Sequence, residues 1–234
     1  HQINRNDANR QKSVHIQIEN TINQLSSNEV YHCGMKPHLN IRFNKPSNAE
    51  NNESEKGTYI IVMELVKGVT LLDFINQFGK IDEQEACRIF AQIVDAFYYL
   101  QDDHINVVHR DVKLENIMLD ENFNVRVIDF GFSKSLDDQK YLLKTQCGSY
   151  PYLAPELLQN SPYTKAVDVW SLGILLFAMV NGSLPFEDTN MTKLSNKILY
   201  SYPKYSDDIS KPCIDLISKM LEKNPKDRIT ADDA

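Results

Sequence analysis

Paired cysteines, long apolar runs and an excess of basic charge are all missing from this chain. Its four cysteines, Cys33, Cys87, Cys147 and Cys213, stand singly, and no two make a C-x-x-C pair. Such spacing argues against a zinc site, and so few cysteines in a long, core-rich chain argue against a disulfide framework. A reduced intracellular, cytoplasmic setting is therefore expected. The longest strongly apolar stretch runs from Trp170 to Val180. It falls short of the about 20 residues that span a bilayer and reads as a buried core helix. The polar N-terminus has no signal-peptide pattern, so no membrane partner is expected. The net charge is −7, which excludes the basic footprint of nucleic-acid binding and leaves no nucleic-acid partner expected. Glycine is also scarce: there are eight, the first is Gly34, and no G-x-G-x-x-G segment exists.

What is present suffices for a core. The chain has 234 residues, 42% of them hydrophobic, which suits one large domain or two small ones. Ser13 to Ile18 alternates and predicts a strand, and Asn44 to Gly57 reads as an exposed loop. Thr58 to Leu65 is apolar and β-branched, as in a buried strand. Helical signals dominate from there. Thr70 and Asp73 form one N-cap pattern, and Asp82 and Glu85 a second. Ala86, Ile89, Phe90, Ile93, Val94 and Phe97 follow the spacing of an amphipathic helix. Two short strands are predicted at Ile117–Leu119 and Val125–Ile128, with Asp120, Glu121 and Asn122 turning between them. Helices are predicted over Val167–Val180, with Gly182 as its stop, and around Met191–Leu199 and Pro212–Leu221. The layout is α+β with two lobes. The chain opens at His1 and stops at Ala234 inside what reads as a helix start, so truncation at both ends is expected.

One stretch carries most of the chemistry: His109-Arg110-Asp111-Val112-Lys113-Leu114-Glu115-Asn116. Asp129-Phe130-Gly131 begins thirteen residues after Asn116, and Ala154-Pro155-Glu156 follows. Together and in this order they resemble the signature set of protein kinases, with Val112 in place of a Leu. The resemblance covers residues 59 to 234. It implies a two-lobed kinase fold with an incomplete N-terminal lobe over 1–63, and with hinge and helical C-terminal lobe over 64–234. It further implies transfer of the ATP γ-phosphoryl to Ser/Thr hydroxyls of protein substrates, with Mg²⁺ as cofactor. Such transfer asks the protein mainly to position groups and neutralise charge. Asp111 resembles the carboxylate that meets the attacking hydroxyl, and Lys113 the cation that supports the transferring phosphate in Ser/Thr kinases. Asn116 and Asp129 resemble the Mg²⁺ ligands, whose hard oxygens suit that ion.

Further positions follow by the same resemblance. Met63 sits at the gatekeeper position, while Glu64, Leu65 and Val66 resemble the hinge that binds adenine. Met118 resembles the floor beneath the adenine ring; plain core packing is the alternative for both methionines. Asp168 and Trp170 resemble the helix that anchors the catalytic loop, and Arg228 the ion-pair partner of Glu156. Thr145-Gln146-Cys147-Gly148-Ser149 resembles the activation segment of calmodulin-dependent-kinase-like enzymes, particularly AMP-activated-kinase relatives. Thr145 would then be phosphorylated by an upstream kinase and pair with Arg110, while Ser149 would touch Asp111 and Lys113.

Some positions depart from the pattern. Ser149 is followed by Tyr150-Pro151, where the commoner order puts Pro first. Thr70 stands where relatives often carry a Glu for the ribose, and an N-cap is the alternative reading. Val14-His15-Ile16-Gln17 resembles V-A-I-K with Gln for Lys, unless that strand is unrelated. His38-Leu39-Asn40-Ile41 resembles H-P-N-I, and counting back from it suggests Glu29 as the helix carboxylate. Without a glycine loop and a strand lysine, a pseudokinase acting as scaffold or allosteric partner is the alternative function.

Overall fold

The computed structural model describes residues 65–135 and 148–234. The predicted strands at 13–18 and 58–65 and the boundary at 63/64 fall outside or at the edge of these residues.

The described chain is α+β. Strand β1 (Gly68–Thr70) leads directly into helix α1 (Leu71–Phe78), and helix α2 follows (Glu83–Gln101). Thr70 is the N-cap of α1, its hydroxyl accepting from the Asp73 N–H at 3.0 Å. Asp82 caps α2 through the Gln84 N–H, whereas Glu85 turns to Arg88. The second predicted pattern thus supplies a cap oxygen but no reciprocal Glu bond. Ala86, Ile89, Phe90, Ile93 and Phe97 of α2 are buried, as their spacing requires.

Short strands come next: β2 (Val107–Val108), β3 (Ile117–Asp120), β4 (Val125–Val127) and β5 (Lys134–Ser135). β3 and β4 pair antiparallel, with Ile117 opposite Val127. The turn between them is tied by Asp120, whose Oδ1 accepts from the backbone N–H groups of Asn122 and Asn124. β1 adds to the free edge of β3, giving the order β1-β3-β4. β2 and β5 make a separate two-stranded ladder.

The remainder is helical: α3 (Pro155–Leu158), α4 (Ala166–Asn181), α5 (Met191–Tyr200) and α6 (Lys211–Met220). α4 is the spine of the core, with every residue from Val167 to Val180 buried except Ser171. A helix apolar on all sides has to be enclosed. It ends where predicted, on Gly182 in the left-handed region (φ 76°), whose N–H reaches the Ala178 carbonyl. Gly173 lets α6 approach: a Cβ there would lie 2.8 Å from Met220 Cβ. No helix among the described residues is long and apolar enough to cross a membrane.

Candidate active site

The site grows from the loop between β2 and β3 and is anchored from below. Asp168, in the first turn of α4, is buried and accepts two backbone bonds from that loop. Its Oδ2 takes the His109 N–H at 2.8 Å and its Oδ1 the Arg110 N–H at 2.9 Å. Burial pushes the Asp168 carboxyl up to about 6, against the pull of those two bonds and of Arg110. Arg110 itself is in the left-handed region, φ 67°, and so is Asp129, φ 61°. Two non-glycine residues in a sparsely allowed conformation mark a place where the surroundings dictate the backbone.

Asp111, only 3% exposed, is the hub. Its Oδ1 accepts from the Ser149 N–H at 3.1 Å and the Ser149 hydroxyl at 3.0 Å. Its Oδ2 accepts from Lys113 Nζ at 2.8 Å and Asn116 Nδ2 at 3.0 Å. Lys113 also donates to Ser149 Oγ at 3.0 Å, closing a triangle. Burial raises the Asp111 carboxyl, but Lys113, Ser149 and Asn116 outweigh it and hold it below the ordinary carboxylate range. Gly148 permits the close approach of the two segments. Its φ is 107°, and a Cβ would stand 2.6 Å from the Arg110 carbonyl oxygen.

Asn116 donates its amide hydrogens to Asp111 alone, to the backbone carbonyl at 2.8 Å and to the carboxylate. The amide oxygen is thereby left as a donor atom for a ligand. The β3–β4 hairpin doubles back, and the Ile128 N–H bonds the Asn116 carbonyl at 2.9 Å. Asp129 is thus delivered next to Asn116 with an exposed carboxylate, steadied by the Gly131 N–H at 3.1 Å. Among the described residues no three His, Cys, Asp or Glu gather into a metal cage. One amide oxygen and one carboxylate fit an ion that draws the rest of its shell from phosphate and water, as Mg²⁺ does.

His109 lies beneath the site, its ring 4.7 Å from Phe130 and 5.8 Å from Phe97. Its Nδ1 accepts from the Asp111 N–H at 3.3 Å, and Nε2 is buried. Burial lowers its pKa to about 4, partly offset by the Ile128 backbone and by Asp111 and Asp129. Between pH 4 and 6.5 the unfolded chain therefore binds more protons at this position than the folded one. Stability then rises with pH across that window, by on the order of 3 kcal/mol. Asp168 acts oppositely between 3.8 and about 6, because its raised carboxyl binds more protons in the folded state. His109→Phe should remove the first slope and leave the second, so that stability falls as pH rises from 4 to 6. Urea melts at several pH values measure this directly. The lost 3.3 Å bond shifts the curve as a whole, and an unchanged slope would contradict the assignment.

The expected residues largely converge. Asp111, Lys113, Asn116 and Ser149 form one network, and Asp129 joins it through the hairpin. Arg110 points elsewhere: its Nε donates to the Phe132 carbonyl at 2.5 Å and its Nη1 to the Tyr163 hydroxyl at 3.2 Å. Met118, on β3 opposite Thr70, is half-buried, as is Val66 just before β1. Met63, Glu64, Thr145, Gln17 and Glu29 lie outside the described residues. Nothing near Tyr163 in sequence signals its partner 53 positions away.

The model of the protein kinase domain family matches residues 48–234. The chain belongs to that family. Testis-specific serine/threonine-protein kinase 1 of Mus musculus is 41% identical over 189 residues, covering 77% of this chain and 51% of that protein. SNF1-related protein kinase catalytic subunit alpha KIN12 of Arabidopsis thaliana is 41% identical over 174 residues, 73% of this chain and 34% of that one. Protein kinase kin1 of Schizosaccharomyces pombe is 41% identical over 176 residues, 75% and 19% respectively. The kinase-family chain thus spans about half the length of these relatives or less. Gln17, Glu29 and the H-L-N-I segment precede the matched span.

Proposed function

We propose that this kinase-family chain transfers the γ-phosphoryl of ATP to Ser/Thr hydroxyls of protein substrates. The observation that carries the reading is the convergence of Asp111, Lys113, Asn116 and Asp129 on one locus, in the arrangement phosphoryl transfer needs. Asp111, held ionised at neutral pH, orients the incoming hydroxyl and accepts its proton as the new O–P bond forms and the bond from the γ-phosphorus to the ADP oxygen breaks, with ADP leaving. Lys113 carries its positive charge to the transferring phosphoryl while fixing Asp111. The Asn116 amide oxygen and the Asp129 carboxylate would hold Mg²⁺, which when bound neutralises charge on the phosphate oxygens. Met63, Glu64 and Val66 would line the adenine side through the hinge, with Met118 as its floor. Ser149 keeps the segment beyond the activation loop against Asp111. The chain's 41% identity to the testis-specific serine/threonine-protein kinase 1 of Mus musculus supports the same specificity. The scaffold alternative rests on Gln17 and the missing glycine loop, whereas the intact set at 111, 116 and 129 favours turnover. Incubating the full-length protein with γ-labelled ATP, Mg²⁺ and a Ser/Thr peptide library tests the proposal; label in no peptide would overturn it.

Regulation follows from the same segment. Phosphorylation at Thr145 adds roughly −1.5 to −2 charge, which Arg110 can meet with charge-assisted hydrogen bonds. Among the described residues the Arg110 side chain bonds a carbonyl and a phenol and no carboxylate. Thr145→Ala should prevent activation by an upstream kinase while leaving basal turnover. Full activation of that mutant would refute the switch.

A further inference from the structure

Lys223, just beyond the end of α6, carries its amine into a box of aromatic rings. Nζ stands 4.5 Å from the centre of the Phe186 ring, 4.8 Å from that of Trp170 and 5.8 Å from that of Tyr202. Trp170 and Phe186 are buried and stacked with their planes 10° apart, so two walls are fixed. Tyr202, 79% exposed, is the outer wall, and Lys223 itself is half-buried, so the box is open on that side. One polar partner completes it: Nζ donates to the Ile198 carbonyl, in the last turn of α5, at 2.7 Å. An ammonium has three hydrogens. One meets Ile198, and ring faces surround the other two.

Ring faces replace lost water only in part. Burial accordingly brings the Lys223 amine down to about 8; Glu222 opposes the shift, and Arg228, whose Cζ stands 5.2 Å over the same Trp170 ring, adds to it. A methylated ammonium keeps its charge, is less hydrated at the outset, and lays its methyl groups on the rings. We propose that Lys223 is a methylation site, and that the mono- or dimethylated ammonium is the form this aromatic box holds best. The donor is a methylsulfonium compound, brought by a separate methyltransferase. The neutral amine's lone pair attacks the methyl carbon. The C–N bond forms as the C–S bond breaks, a thioether leaves, and the displaced N–H proton passes to water. Two methyl groups are the limit, because a third removes the N–H that meets Ile198. Acetylation would discard the charge that the rings and the C-terminal end of α5 stabilise.

Tryptic mass spectrometry of the full-length protein from its own cells is the direct test. One or two methyl groups on Lys223 are expected, and an unmodified lysine throughout would overturn the site. The box is tested by reductive methylation of unmodified full-length protein with formaldehyde and a borane. At limiting reagent and pH 7, Lys223 should be labelled about tenfold ahead of the exposed Lys226, its amine being neutral more often. Labelling no faster than at Lys226 would overturn the proposal, and this arm needs no mutant. With excess reagent, the thermal midpoint of the wild type should rise by a few degrees relative to Lys223→Arg treated alike. An equal change in the two proteins would show that the box does not favour the methylated form.

Discussion

Asp111→Asn should keep its fold and lose phosphoryl transfer by roughly 10²-fold or more. The substitution is nearly isosteric, so its effect is electronic. Asp111 now accepts four hydrogen bonds from side chains and backbone, shared between its two oxygens. An amide has one oxygen, and its NH₂ would face either Lys113 and Asn116 or the Ser149 N–H. Whichever way it turns, donors confront donors, and the incoming hydroxyl loses its ionised acceptor. A stability loss of about 1–3 kcal/mol is expected alongside, from hydrogen bonds broken in a buried place. A transfer assay read against a urea melt separates the two effects. Wild-type turnover in a folded Asp111→Asn protein would remove Asp111 from the mechanism.

Arg228→Ala should be the most destabilising change, at about 3–5 kcal/mol. Its guanidinium is buried and forks onto Glu156, Nη1 to Oε1 at 2.7 Å and Nη2 to Oε2 at 3.0 Å. Nη1 also reaches the Ala166 carbonyl at 2.8 Å, Nε the Glu222 carbonyl at 2.9 Å, and Cζ stands 5.2 Å over the Trp170 ring. Truncation strands the Glu156 carboxylate in the interior with no cation. The size of the loss is mostly that stranded charge, not the net worth of the pair. A Glu156→Leu/Arg228→Met protein should therefore be more stable than Arg228→Ala, although it lacks both charges. Equilibrium unfolding of the two decides the point, and equal stabilities would refute the argument.

The parts of this fold that were legible in sequence are those where chemistry or helical periodicity fixes residue type locally. Asp111, Asn116 and Asp129 were legible through their resemblance to the kinase signature set, and the two short apolar strands around Asp120, Glu121 and Asn122 predict the hairpin that returns Asp129. The α4 helix declared itself by unbroken apolar character, and Gly182 by its conformational freedom. Pairings made by very short or exposed strands were not legible. β1 has three residues, none of them buried, so neither alternation nor a hydrophobic run marks it. β2 and β5 contribute two residues each and gain their strand character only from one another. The turn residue Phe123, with φ 57°, is likewise an unfavourable choice that Asp120 enforces through its own hydrogen bonds to the flanking backbone. Tyr150 with Ser195, and Arg110 with Tyr163, join positions that only the folded chain brings together.

The two N–H bonds that Asp168 accepts have a thermal consequence. They make the oily centre of the molecule a fixture of the reaction's alignment, because the loop bearing Asp111 hangs from the first turn of the most enclosed helix. Loosening of that helix by warming, or by a mildly ill-fitting side chain at Leu172 or Leu175, would reach the reacting groups while most of the structure still stood. Turnover should then decline at temperatures where spectroscopic signals of the folded state remain flat, and substitutions far from any substrate should first announce themselves as slow enzymes.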